Sequence, residues 1–296
     1  MHFAVSGVDA PLWLPPLFAF VVSFFTSMGG VSGAFLLLPF QVSVLGYTSP
    51  SVSATNQVYN IAAIPSGVYR YVREGRMLWP LTWTVIVGTL PGVFIGSWVR
   101  VAYLPDPQNF KLFAGLVLLY IGGRMAADVL QKKTKAAADV QPRSLDAVRV
   151  LRFTARRLEF DFGGGTYAFS PAGVFIMCLF VGMAGGIYGI GGGAILAPVF
   201  VSVFGLPVYA VAGATLMSTF VTSIAGVIFY HVLALYYTGL TVAPDWLLGL
   251  LFGAGGVCGM YLGARCQRFV PARLIKGVLC FCILFVALKY VIGFFV

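Results

Sequence analysis

From Met1 to Tyr69, and again from Leu158 to Ala264, the chain carries no lysine or arginine. Through both regions run uninterrupted apolar stretches of about 20 residues, the length that crosses the hydrocarbon of a bilayer. A water-soluble fold needs charge on its surface, and ordinary domains carry about 25% charged residues. Here 9% of 296 residues are charged and 59% are hydrophobic. No soluble globular fold is compatible with that pattern. In lipid each backbone polar group has to be satisfied within the spanning element, so stretches of this length predict an all-α polytopic membrane protein.

The net charge of +10 would suggest a nucleic-acid partner if the basic residues covered a soluble face. They sit instead in short connections and one larger loop, as the positive-inside rule requires, and nucleic-acid binding is not expected. The five cysteines, Cys178, Cys258, Cys266, Cys280 and Cys282, show no CxxC or metal-ligand spacing, and packing accounts for them. The opening MHFAVSGVDAPLWLPP has no positive n-region before its apolar run, so no cleaved signal peptide is expected. No metal site and no cofactor are expected either.

Candidate spans cover residues 12–45, 51–70, 79–101, 110–130, 171–204, 207–231, 245–264 and 274–295. The first and fifth are too long for one crossing. Glycines interrupt both: Gly29, Gly30 and Gly33 in one, and Gly185, Gly186, Gly189, Gly191, Gly192 and Gly193 in the other. Such clusters at membrane depth predict broken helices lining a covered cavity. An offset of 159 residues superposes Gly30 on Gly189, Gly33 on Gly192, Pro39 on Pro198, Gly46 on Gly205, Val52 on Val211 and Gly67 on Gly226. With a small insertion Gly88, Gly92 and Gly96 fall on Gly255, Gly259 and Gly263. The order and spacing predict a repeat, with one transmembrane unit at 10–130 and a second at 171–296.

Between them, residues 131–170 hold eight basic residues against four acids and read as a cytoplasmic loop. Its end, LEFDF-GGG-TYAFS, alternates about a glycine turn and suggests a β-hairpin. Arg70, Arg73 and Arg76 mark another cytoplasmic connection. Its counterpart in the second unit, HVLALYYTGL, has no Lys or Arg; there the basic turn comes one span later, at Arg265, Arg268 and Arg273. Equivalent loops therefore fall on opposite sides. The architecture this predicts is two inverted repeats, each a glycine-broken hairpin of half-length helices plus three transmembrane helices, with both termini outside. Inverted repeats with broken helices typify transporters with a midplane site.

Ionisable residues within spans are few. Asp245, Arg70, Arg265 and Lys276 fall at span ends, where snorkelling explains them; Arg100 and Lys111 flank an external turn, and His231 reads as interfacial. No carboxylate pair or nucleophile–base set lies at depth, which argues against an enzyme. Neutral polar residues do cluster after each broken hairpin: Thr55, Asn56, Gln57, Asn60 and Ser66 in the first unit, Thr215, Ser218, Thr219, Thr222 and Ser223 in the second. At the 159 offset Asn56 meets Thr215 and Asn60 meets Thr219. Asn56 and Asn60 share a helical face, as do Thr215 and Thr219. Interhelical hydrogen bonding explains Ser and Thr equally well; three large amides within five residues are harder to assign to packing. Half-helix N-termini at the glycine breaks would present N–H groups and a partial positive charge. The candidate substrate-binding set is therefore Gly30, Gly33, Asn56, Gln57, Asn60, Gly191, Gly192, Gly193, Thr215, Ser218 and Thr219, suited to a small anion.

GGVSGAFLLLPF followed by ATNQVYNIAAIPSGVYRYVREG, and then GIYGIGGGAILAPVF, resemble the two signature repeats of the TauE/SafE sulfite exporter family, also known as the four-toluene-sulfonate uptake permeases. The likeness extends over nearly the whole chain, including the hairpin-like stretch before the second repeat. The first repeat departs from the second in reading Gly-Gly-Val-Ser-Gly in place of the fuller glycine run. The resemblance implies a bacterial inner-membrane carrier, often an exporter, for sulfite, organosulfonates or related small anions, working by alternating access. A passive anion channel, a membrane-embedded enzyme and a structural scaffold are the alternatives. The anion, the coupling ion and the direction stay open, as does the oligomeric state, a homodimer included.

The charge distribution places both termini outside the cytoplasm. Single cysteines at Ser6 and at Val296, on a cysteine-free background, should react with impermeant reagent from the extracytoplasmic face. Protection at both positions in intact cells would contradict the inverted arrangement.

Overall fold

The structure, a computed structural model, describes residues 1–28, 32–73, 75, 77–130, 149–154, 157–162, 165–204, 206, 208–266 and 272–295. A short hairpin, β1 (His2–Phe3) and β2 (Val8–Asp9), precedes α1 (Leu14–Met28) and α2 (Ala34–Ser43). There follow α3 (Ser51–Ala63), α4 (Pro65–Arg73), α5 (Trp79–Ala102) and α6 (Pro107–Leu130). Strands β3 (Arg149–Phe153), β4 (Leu158–Phe162) and β5 (Gly165–Phe169) form an antiparallel sheet. The chain then runs through α7 (Pro171–Tyr188), α8 (Gly192–Val203), α9 (Val208–Tyr236), α10 (Trp246–Cys266) and α11 (Ala272–Phe295). Among the described residues α5, α6, α7, α9, α10 and α11 are long and apolar enough to cross a membrane. Their outer faces expose Trp83, Val87, Leu116, Phe180, Ile228, Phe281 and Phe285, a surface fit for hydrocarbon and not for water. The protein is a multi-pass helical membrane protein.

Three details depart from the sequence reading. The stretch 51–70 is two helices, because Pro65 has no N–H and its ring cannot sit inside a helix without clashing with the preceding turn. In the second broken segment, α7 reaches 18 residues and is span-length, not a half-helix. Gly185 and Gly186 continue that helix; the break begins only at Gly189, whose φ of 82° is left-handed and whose N–H closes onto the Gly185 carbonyl at 2.8 Å. Third, Asp245 is not at the lipid interface. It is buried, accepts from Leu248 N at 3.1 Å to cap α10, and accepts from the Ser6 hydroxyl at 2.8 Å. The β1–β2 hairpin is docked onto the bundle by that contact and by buried Phe3 and Val8. Gly30 lies outside the described residues, as does the span 131–148 of the basic loop.

Glycine sets how closely the helices approach. Lipid tails are as apolar as leucine, so helices in a bilayer associate through close packing and small residues. On α5, Gly88, Gly92 and Gly96 face α7: a Cβ at Gly88 would stand 2.8 Å from that of Cys178, and Cβ atoms at Gly92 and Gly96 would overlap the Leu179 and Met183 carbonyls. On α10, Gly255, Gly259 and Gly263 face α1, where Cβ atoms would overlap the Pro16, Phe20 and Phe24 carbonyls. Phe20 and Phe24 lie 159 residues before Leu179 and Met183, so each unit's third-helix glycines press on the other unit's first arm at matching positions. The helices α6 and α11 form a third seam, with Gly122 against Leu284 and Gly115 against Tyr290.

The β-sheet buries Leu158, Phe160 and Phe169 against Val174 and Cys178 of α7 and Leu196 and Phe200 of α8, while Glu159 pairs with Arg157 at 2.7 Å outside.

Gly92→Val and Gly259→Val should each destabilise the bundle by about 1–3 kcal/mol or more, the usual cost of overpacking a close contact. Gly123→Val should be near neutral, because nothing lies within 4 Å of its Cβ position. Thermal unfolding in detergent compares them; equal midpoints for all three would contradict the seam.

Candidate functional site

The break between α7 and α8 strands peptide groups that α3 and α9 satisfy. The Asn56 amide nitrogen donates to the Gly189 carbonyl at 3.1 Å and to the Ala34 carbonyl at 3.0 Å, joining both broken segments. One helical turn along, the Asn60 nitrogen donates to the Ile190 carbonyl at 3.1 Å and to Ser223 Oγ at 3.3 Å, while its oxygen accepts from Ser32 Oγ at 3.2 Å. Asn56 Oδ1 accepts from Gln41 at 3.3 Å. All these side chains are fully buried or nearly so. Asn56 and Asn60 sit where they do because their i, i+4 spacing puts both on the α3 face towards the breaks.

Beyond the carbonyls comes a helix start. Helix α8 begins at Gly192, after Gly191 with φ 72° and ψ 154°, and no side chain caps it. That backbone conformation is open in practice only to glycine, so Gly191 makes the turn. Its first N–H groups have no partner within the helix and carry the positive end of its dipole. Hydroxyls surround this end. A Cβ at Gly191 would meet Thr219 Cγ2 at 2.9 Å, Thr222 Oγ1 at 3.2 Å and Ser223 Oγ at 3.3 Å; at Gly192 it would meet Thr89 Cγ2 at 2.7 Å. A Cβ at Gly193 would overlap the Thr215 carbonyl and stand 2.5 Å from Thr219 Oγ1. Ser218 Oγ lies 3.2 Å from Thr89 Oγ1. Gly33, at the start of α2, holds the matching place in the first segment, 2.7 Å from the Tyr59 hydroxyl by the same measure.

The structure thus gathers Gly33, Asn56, Asn60, Gly191, Gly192, Gly193, Thr215, Ser218 and Thr219 about the two breaks. Gln57 stands apart: it is buried on the neighbouring α3 face against Gly226, and neither atom of its amide has a hydrogen-bond partner among the described residues. Thr89, Ser32, Thr222 and Ser223 belong to the cluster and were not in the sequence-derived set. Thr222 and Ser223 were visible there as polar neighbours, and Thr89 adjoins Gly88 of the α5 glycine track. Ser32 had only its place between two glycines to mark it. Arg100 corrects the sequence reading most sharply. It ends α5 beside the turn it was expected to flank, but its side chain is entirely buried, 3.7 Å over the Phe110 ring. His231 is on the outside, with its ring 6.5 Å from that of Trp246. No group of three or more His, Cys, Asp or Glu suited to a metal occurs among the described residues.

Chemically, the cluster presents an uncapped helix start, which favours anions, beside threonine hydroxyls that donate to their own helix carbonyls.

Comparison with known proteins places the chain in a family. The model of the family described as Sulfite exporter TauE/SafE matches residues 16–290. A protein named probable membrane transporter protein from Xylella fastidiosa is 25% identical over 247 residues, 82% of this chain and 80% of that one. The probable membrane transporter protein MamO of Magnetospirillum gryphiswaldense is 26% identical over 77% of this chain and 36% of its own length. YunE of Bacillus subtilis, also named a probable membrane transporter protein, is 23% identical over 64% of this chain and 61% of its own. No solved structure is a significant match. Matched across nearly its entire length, the chain belongs to the TauE/SafE sulfite exporter family.

Proposed function

We propose that the protein is a secondary transporter that exports small anions (sulfite, organosulfonates or related sulfur-containing or carboxylate species) across a bacterial inner membrane. It works by alternating access about a site made by Gly30, Gly33, Asn56, Asn60, Gly191, Gly192, Gly193, Thr215, Ser218 and Thr219, with Thr89 and Ser223 added and Gln57 left out. The observation that carries this reading is the uncapped start of α8 in its ring of hydroxyls, with Asn56 and Asn60 holding the carbonyls beside it. Hydrogen bonds to a charged partner contribute about 1.5–3 kcal/mol each. Three or four would offset much of an anion's desolvation and still allow release. Burial of the cluster matches an occluded intermediate.

The units 10–130 and 171–296 are the two repeats of this carrier, inverted in the membrane, with the 131–170 segment cytoplasmic. The reciprocal glycine seams at a constant offset support that symmetry, and rocking of one unit on the other would expose the site to each face in turn. A channel is the second reading; burial of the cluster favours the carrier.

Transport of labelled sulfite into inverted vesicles tests the site. Gly192→Val should abolish uptake, since its side chain would collide with Thr89. Asn60→Leu should lower uptake by about tenfold or more, because the Ile190 carbonyl loses its partner and the break loses its shape. Gly123→Val should transport normally. Both site variants working at the wild-type rate, with wild-type insertion, would overturn the assignment.

A further inference from the structure

Arg100 lies in the last turn of α5, fully buried, with no carboxylate within 4.0 Å among the described residues. A guanidinium has five N–H donors. Two are used: Nη1 donates to the Leu104 carbonyl and Nη2 to the Thr48 carbonyl at 3.4 Å. Those bonds tie the end of α5 to the loop before α3. Nε has no partner. One turn back, on the same face, Ser97 Oγ is also buried, beside the Tyr230 hydroxyl. Charge in a low-dielectric interior is costly unless a counter-charge offsets it, and stapling two neutral carbonyls does not supply one.

Arg100 also stands at the end of a ladder. Four carbonyls around the α7 break are each held by a side chain: Ile190 by Asn60, Gly189 by Asn56, Ile187 by Ser53 at 2.9 Å and Gly186 by Tyr230 at 2.9 Å. Ser53 and Ser97 flank the Tyr230 hydroxyl, which is within electrostatic reach of Arg100. From Asn60 to Ser53 the ladder climbs about 10 Å along α3. It leads from the uncharged site towards Arg100, a fully buried cation.

We propose that Arg100 is a second anion station, distinct from the uncharged site, which receives the transported anion at the end of the bundle that carries the α5 C-terminus. This rests on the transporter reading above. The open Nε edge of the fork takes two oxygens of one oxyanion in a plane, with the Ser97 hydroxyl as a further donor. That geometry selects sulfite, sulfonate or carboxylate over a halide, which has no pair of oxygens to match the fork.

Equilibrium binding of sulfite to purified protein in detergent, with chloride as the comparison anion, separates the two stations. Wild type should bind sulfite at two classes of site. Arg100→Gln should weaken one class about tenfold or more, Arg100→Lys should weaken it less, and Ser97→Ala should weaken it severalfold. Asn60→Leu should weaken the other class only. Chloride should compete poorly at the Arg100 class. If Arg100→Gln keeps both classes unchanged, the station is wrong and the uncharged site stands. If Asn60→Leu keeps both while Arg100→Gln loses one, the uncharged site is wrong and Arg100 stands. A purely structural arginine would lower the melting temperature of Arg100→Gln and Arg100→Lys alike without changing sulfite affinity, which overturns the proposal. Should Arg100→Gln fail to fold, Ser97→Ala decides, and unchanged sulfite binding in that variant overturns it.

Discussion

Interrupting a helix inside a bilayer strands peptide groups where no water can reach them, and each unsatisfied group costs several kcal/mol. The interrupted α7–α8 segment therefore cannot exist without partners, and the rest of the structure supplies them. Asn56, Asn60, Ser53 and Tyr230 take the carbonyls on the α7 side of the break. The N–H groups on the α8 side are left facing hydroxyls. In the proposed carrier, those uncapped N–H groups are the seat for the anion.

Close packing makes the arrangement possible. Amides of α3 reach the break only because Gly189 lets the backbones touch: a Cβ there would stand 2.6 Å from Ser53 Cα, and its positive φ disfavours any other residue. The glycine seams of α5 on α7 and of α10 on α1 extend the same principle over the whole bundle. They bind the first arm of each broken segment to the opposite unit. In the proposed carrier, these seams would couple displacement of one unit to the other's break.

Much of this was legible in the residues. Spans showed as charge-free runs, because a charge at depth costs about 2.5–3.5 kcal/mol or more. The breaks showed as glycine clusters, and the amides stood out because three within five residues are costly to bury without partners. What was not legible depended on packing. Gly185 and Gly186 look identical in sequence to the glycines that do break the helix, yet they serve helix contact against Val93 and α8. Arg100 and Asp245 sit at helix ends, where snorkelling is the ordinary outcome. Only the placement of Phe110 and of Ser6 shows that both are enclosed. Thr89 gave no signal of its own, since threonine in a membrane helix bonds its own backbone as readily as a ligand.

The central claim is that neutral donors at a broken helix carry an anion through a site that closes before it opens. Counterflow tests it directly. Proteoliposomes loaded with unlabelled sulfite and diluted into trace labelled sulfite should show a transient accumulation of label above equilibrium, saturating with internal sulfite. Label that rises monotonically to equilibrium, with a rate linear in concentration, would mean an open pore and would contradict the account.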